Sequence, residues 1–134
     1  MKQKLVVCMA GLLLAAALPL LAHHSFAAEY DGNAKLTLKG TIAKIDWMNP
    51  HIWIYIDAKD ETGKVTRWQC EGGPPNSLTR NGWTKDAVKT GDEVTIEGFR
   101  AKDGTNTCNS RSMKMPDGRV VFAGSADDGA PKGK

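Results

Sequence analysis

The chain has 134 residues, of which 41% are hydrophobic and 25% charged, with 18 Lys and Arg against 15 Asp and Glu. That length suits one domain with one modest core. A charge balance this near neutral gives no reason to expect a nucleic-acid or anionic-membrane partner.

The first element is an export signal. Lys2 and Lys4 form a short positive start, Leu5 to Leu21 is an almost unbroken apolar run, and small residues follow. The run is as long as a short membrane span, but Pro19 and the lack of a basic cluster after Ala22 argue against a retained anchor. Cys8 precedes the apolar core and lacks small neighbours, which excludes a lipidation site. The pattern therefore implies a leader over 1–22, with cleavage after Ala22 leaving His23 as the new N-terminus. A cut after Ala27 also fits the small-x-small rule and would remove His23 and His24; the apolar core ends beside Ala22, which favours the first. With Lys2 and Lys4 gone, 16 basic residues face 15 acidic ones, a net of +1. The mature chain is expected to be periplasmic or secreted, with no membrane contact after cleavage.

Residues 23–33 read as a polar-aromatic arm. From Leu36 the pattern has period two, with Leu36, Leu38, Gly40 and Ile42 on one face. The apolar set then slips to Ala43, Ile45 and Trp47, which predicts a bulge near Gly40 to Ala43 in a long strand serving two sheets. Trp47-Met48-Asn49-Pro50-His51 should form a corner, with Asn49 bonded to backbone, because Pro50 cannot donate to a ladder. Ile52 to Ile56 resumes the strand, and Asp60 to Lys64 turns it into a hairpin with Val65 to Cys70. After Gly72-Gly73-Pro74-Pro75, Asn76 can cap a short helix through Arg80, Gly82 can end it, and Trp83 can anchor it in the core. Strands follow at Val94 to Phe99, Cys108 to Met115 and Val120 to Phe122. The spacing predicts a mostly β domain over 34–124: a small five- or six-stranded Greek-key barrel resembling the oligonucleotide/oligosaccharide-binding (OB) fold, with one short helix. A β-sandwich is the alternative. The tail, 125–134, has no apolar pattern and is expected to be disordered.

Cys70 and Cys108 suit a disulfide in an oxidising compartment; a metal site using both thiolates is the alternative. No nucleophile elbow, no phosphate-binding Gly loop and no His paired with a Ser or Cys nucleophile is evident, so the protein is expected not to be an enzyme. The histidines are His23, His24 and His51. An N-terminal His23 offers its α-amine and imidazole as a bidentate chelate, and His24 or His51 would complete the nitrogen set that Cu(II) favours. Adjacent histidines also occur by accident at cleavage sites. Met48, Met113 and Met115 add soft sulfur suited to Cu(I), in ingredients similar to a periplasmic copper chaperone with the same small barrel; the strand position of Met113 and Met115 equally suits core packing. Trp47, Asn49, Trp53 and Tyr55 could form a face for a protein or small-molecule ligand, although large aromatics also fill cores.

The run His23-His24-Ser25-Phe26, then Glu29-Tyr30-Asp31, then Trp47-x-Asn49-Pro50-His51, resembles a family of small exported bacterial proteins of unknown function. Pro75-Asn76-Ser77-Leu78, Gly82-Trp83 and Gly91-Asp92-x-Val94 fit the same pattern. The resemblance implies export and a single domain, and supplies no activity. The function expected from the residues is that of an exported binding protein of unidentified ligand, with copper as the candidate metal. The alternative is a protein- or small-molecule-binding module built on the Trp47 to His51 turn.

Overall fold

The computed structural model describes residues 25–131. A four-residue helix, α1 (Phe26–Glu29), leads into β1 (Tyr30–Asp46). That strand starts inside the stretch expected to be an irregular arm, because Tyr30 pairs with Ala101 and buries its ring. Farther along, Lys35–Thr41 pair with β4 (Glu93–Ala101), while Gly40–Asp46 pair with β2 (Trp53–Lys59). One long strand thus serves two neighbours, and its register slips between Ile42 and Lys44, where the bulge was expected. Gly40 lies in the overlap. A Cβ there would sit 2.0 Å from the carbonyl oxygen of Asp57, so the crossing needs a residue without one.

β2 turns into β3 (Val65–Glu71) through Asp60, whose side chain accepts the backbone N–H of Thr62 and of Lys64. β4 pairs antiparallel with β5 (Thr107–Lys114), and β6 (Val120–Phe122) adds to the far edge of β5. The decisive contact is parallel: Gln69–Glu71 of β3 pair with Thr107–Asn109 of β5. It joins β1-β2-β3-β5-β4 into a ring, giving the small barrel expected from the strand spacing, in an order resembling the OB-fold.

The helix between β3 and β4, α2 (Pro75–Arg80), begins differently from its expected cap. Pro74 holds the N-cap position without a side-chain bond, and Asn76 lies inside the helix. Pro75 at the first helical position supplies a preset φ, which does the work assigned to Asn76. The C-terminus is a Schellman motif: Gly82, at φ +91°, bonds the Thr79 carbonyl, and the Trp83 N–H reaches Leu78. That closing bond drives Trp83 into the core, where it and Leu78 are both fully buried.

The barrel interior holds Ile42, Ile52, Ile54, Ile56, Trp83, Ile96 and Met113. A second, smaller apolar cluster lies apart from it: Phe26, Tyr30, Phe99 and Ala101, with Ala130 packed against them. Ala130 belongs to the tail expected to be disordered. As far as Pro131 that tail is instead held on the barrel, by an Arg111–Asp128 ion pair and by the Phe26 N–H bonding the Asp128 carbonyl. Its composition concealed this, because ion pairs and backbone bonds leave no apolar period. No helix among the described residues is long and apolar enough to cross a membrane.

Candidate functional site

The corner Trp47 to Ile52 separates β1 from β2 and contains a cis Asn49–Pro50 bond. Trp47 is half-buried and packs edge-on against Trp83, with centroids 5.8 Å apart. Asn49 is exposed and makes no hydrogen bond among the described residues, contrary to the backbone bond expected of it. Past the corner, Ile52 is pinned by its N–H to Gly73 and by Gly72 to its carbonyl. His51 therefore leaves a fixed backbone, with 35% of its side chain exposed.

What His51 meets is Glu71, the last residue of β3. Strand alternation explains the encounter: Cys70 points into the core, so Glu71 points out, opposite Trp53 of β2. Its Oε1 lies 2.6 Å from His51 Nδ1. Its Oε2 accepts the Tyr30 hydroxyl at 2.6 Å. The Tyr30 hydroxyl is the donor in the second of these bonds. Burial, and then the hydrogen bond and charge of Glu71, push the Tyr30 phenol well above its ordinary value, which keeps that donor protonated.

The other ring nitrogen, His51 Nε2, is 3.4 Å from the hydroxyl of Ser125. The Ser125 carbonyl accepts from Arg111 Nη1 at 3.2 Å, and the same nitrogen donates to Asp128 at 2.8 Å. Asp128 in turn holds the N–H of Phe26. Two routes therefore link His51 to the start of the described chain. One runs through Glu71, Tyr30 and the ring of Phe26, which stacks on Tyr30 at 5.7 Å. The other runs through Ser125 and Asp128.

Phe26 and Tyr30 are 4% and 3% exposed, so the described part of the arm packs on the barrel. His23 and His24 lie outside the described residues. Among the described residues no group of three His, Cys, Asp or Glu side chains could hold a metal ion. Met113 and Met115 belong to the barrel core, at 0% and 3% exposure, and act there as packing; Met48 is exposed on the corner. The aromatic residues have separate neighbours. Trp53 lines a pocket of about 520 Å³ with Ala28, Tyr30, Lys102 and Thr107, whereas Tyr55 lies under the ammonium of Lys44. Cys70 and Cys108 face each other across the parallel closure as a disulfide pair.

Chemically, a histidine backed by a carboxylate through Nδ1 presents Nε2 as a lone-pair donor, the arrangement common behind metal-ligating imidazoles. The order Glu71–His51–Ser125 is also that of a hydrolytic relay, a pairing no local signal revealed. At 3.4 Å the hydroxyl contact is longer than the 2.6–3.2 Å reach of proton transfer. Sequence reading passed over Glu71, the Tyr30 hydroxyl, Ser125 and the Arg111–Asp128 pair. Glu71 and His51 stand 20 positions apart and Glu71 and Tyr30 stand 41 apart, so no motif joins them.

No curated protein matches the chain. Among solved structures, it is similar to a chain in the crystal structure of a complex of TiaS with an isoleucine tRNA and ATP, with a TM-score of 0.45 and 20% identity. The likeness covers 60% of this chain and 18% of that one, so the protein spans a small part of its structural relative. A family model matches residues 10–111, a span that contains His23, His24, His51, Glu71 and both bonded cysteines. The chain belongs to that family, a family of unknown function (DUF6152).

Proposed function

We propose that the protein is an exported periplasmic binding protein that holds copper through the α-amine and imidazole of His23, with His24 and His51 as further nitrogen ligands. One observation carries this reading: the start of the described chain is tied to the surroundings of His51 from two sides. His23 lies three residues before Phe26, a span of at most about 11 Å when extended. The apolar leader pattern supports export, and the Cys70–Cys108 bond suits an oxidising compartment. Nitrogen donors in this number match the preference of Cu(II), and binding fails on acidification because protonated amine and imidazole cannot coordinate.

The test is a Cu(II) titration of the mature protein beside a form whose N-terminal α-amine is acetylated, with intact mass giving the native start. The expected result is a mature chain starting at His23, whose affinity drops at least about tenfold on acetylation, since an amide nitrogen in place of the amine removes half of the bidentate chelate. Unchanged affinity, or a mature chain beginning after Ala27, overturns the proposal. A second reading, a binding module for a protein or small molecule at the corner, is favoured by Met48, 53% exposed there, and by the pocket beside Trp53.

A further inference from the structure

The copper reading uses His51 but leaves unexplained the carboxylate pressed against it. Glu71 is 16% exposed, and both of its oxygens are engaged at 2.6 Å. We infer that Glu71 is the positioning residue of the site: by accepting the Nδ1 proton of His51, it fixes the imidazole in the tautomer whose Nε2 is free to bind a metal ion. This inference rests on the copper reading of His51.

Three observations carry it. First, the imidazole of a neutral histidine has one N–H and one lone pair, and the stronger hydrogen bond decides which nitrogen has which. A charge-assisted contact of 2.6 Å on Nδ1 outweighs a hydroxyl at 3.4 Å on Nε2, so the lone pair belongs to Nε2. A free histidine side chain favours the opposite form, so the arrangement reflects Glu71 and not the ring itself. Second, Nε2 faces Ser125, on the segment whose Asp128 carbonyl holds the Phe26 N–H, so the ligating nitrogen lies on the side to which the start of the described chain is tied. Third, the carboxylate is itself immobilised. The Tyr30 hydroxyl occupies Oε2, and Tyr30 is 3% exposed beneath Phe26, so Glu71 cannot swing away from the ring without unpacking the arm. A tie between arm and barrel needs only the Tyr30 bond; the contact to Nδ1 has no part in it.

Two measurements test the inference. Long-range ¹⁵N NMR of the metal-free mature protein, above the pH at which histidines titrate, should show His51 with its proton on Nδ1. It should revert toward the Nε2–H form in Glu71→Ala. Cu(II) titrations should then show Glu71→Gln binding about 10–100-fold more weakly than the parent, with an altered Cu(II) EPR spectrum. Finding the Nε2–H form in the parent protein overturns the inference whatever copper does, and requires no variant to fold. If His51→Ala weakens binding while Glu71→Gln and Glu71→Ala leave affinity and spectrum unchanged, the role of Glu71 is wrong and the copper site stands. If His51→Ala binds as the parent does, or the parent binds no Cu(II), the copper reading falls and this inference with it.

Discussion

Tyr30 shows how much a single side chain contributes to this fold. Its ring closes the small outer cluster, and its hydroxyl spends its one proton on Glu71. Burial and that carboxylate raise the phenol above its ordinary value of 10.0. A group whose folded pKa is raised adds stability that is fully present below its unfolded pKa and lost as pH climbs toward the folded one. The contribution of Tyr30 is therefore intact at pH 8 and declines above about pH 10. Replacing Tyr30 with Phe should cost about 1.5–3 kcal/mol at pH 8, the usual worth of a hydrogen bond to a charged group. The difference from the parent should shrink at pH 11. Urea unfolding of both proteins at the two pH values reads this directly, and a gap that stays constant would show that the phenol does not titrate against Glu71.

At the scale of elements, the β3–β5 pairing determines whether the strands form a ring or an open sheet. Only three residue pairs make that parallel contact, and the Cys70–Cys108 bond lies at the middle one. A short parallel ladder is a weak seam by itself, so the covalent link matters most where backbone bonding is least. Closing a loop between residues 38 apart restricts the unfolded chain by about 3–4 kcal/mol. Alkylation of the unfolded, unreduced mature protein should label no thiol, and two labelled cysteines would refute the bridge. The double variant Cys70→Ala, Cys108→Ala should lose about the stated stability in urea. Amides of Gln69 to Glu71 should exchange faster in it than those of β1 and β4, which keep their full ladder.

Across the whole molecule, the two chain ends cooperate on one outer face of the barrel. The arm supplies Phe26 and Tyr30, the tail supplies Ala130 and Asp128, and the barrel supplies Phe99, Ala101 and Arg111. The Arg111 and Asp128 side chains are 18% and 12% exposed, well shielded for a surface pair. Removing one partner leaves the other desolvated, which costs more than an exposed pair would. Arg111→Ala should destabilise by about 1–3 kcal/mol and release the tail, because Asp128 loses its charged partner and the Ser125 carbonyl loses its donor. Limited proteolysis checks the second part: cleavage after residue 124 should precede cleavage within the barrel. A tail as resistant as in the parent protein would show that the Phe26–Asp128 bond, the Ser125–His51 contact and the packing of Ala130 suffice to hold it.

Much of this architecture is legible from the amino-acid order alone. Strand positions follow from period-two alternation, and the bulge follows from the one-residue slip of the apolar set after Ile42. The corner follows from Pro50 and the helix stop from Gly82, because these signals are local and act through a few neighbouring dihedrals. The N-cap at Pro74 in place of Asn76 is also local, and reflects a choice between two acceptable starts. The site belongs to another class. Nothing near Glu71 marks it as the partner of His51 and Tyr30, since an acid at a strand end reads as solvated until the sheet closes around it. Composition likewise hides the tail, whose hold is mostly polar, through the Arg111–Asp128 pair and the bonds of Ser125 and Asp128. Local periodicity thus determined where the chain bends and pairs. The β2–β3 hairpin sets Glu71 beside His51, and the tertiary structure decided what else converges there, because Tyr30 and Ser125 stand 41 and 74 positions from their partners.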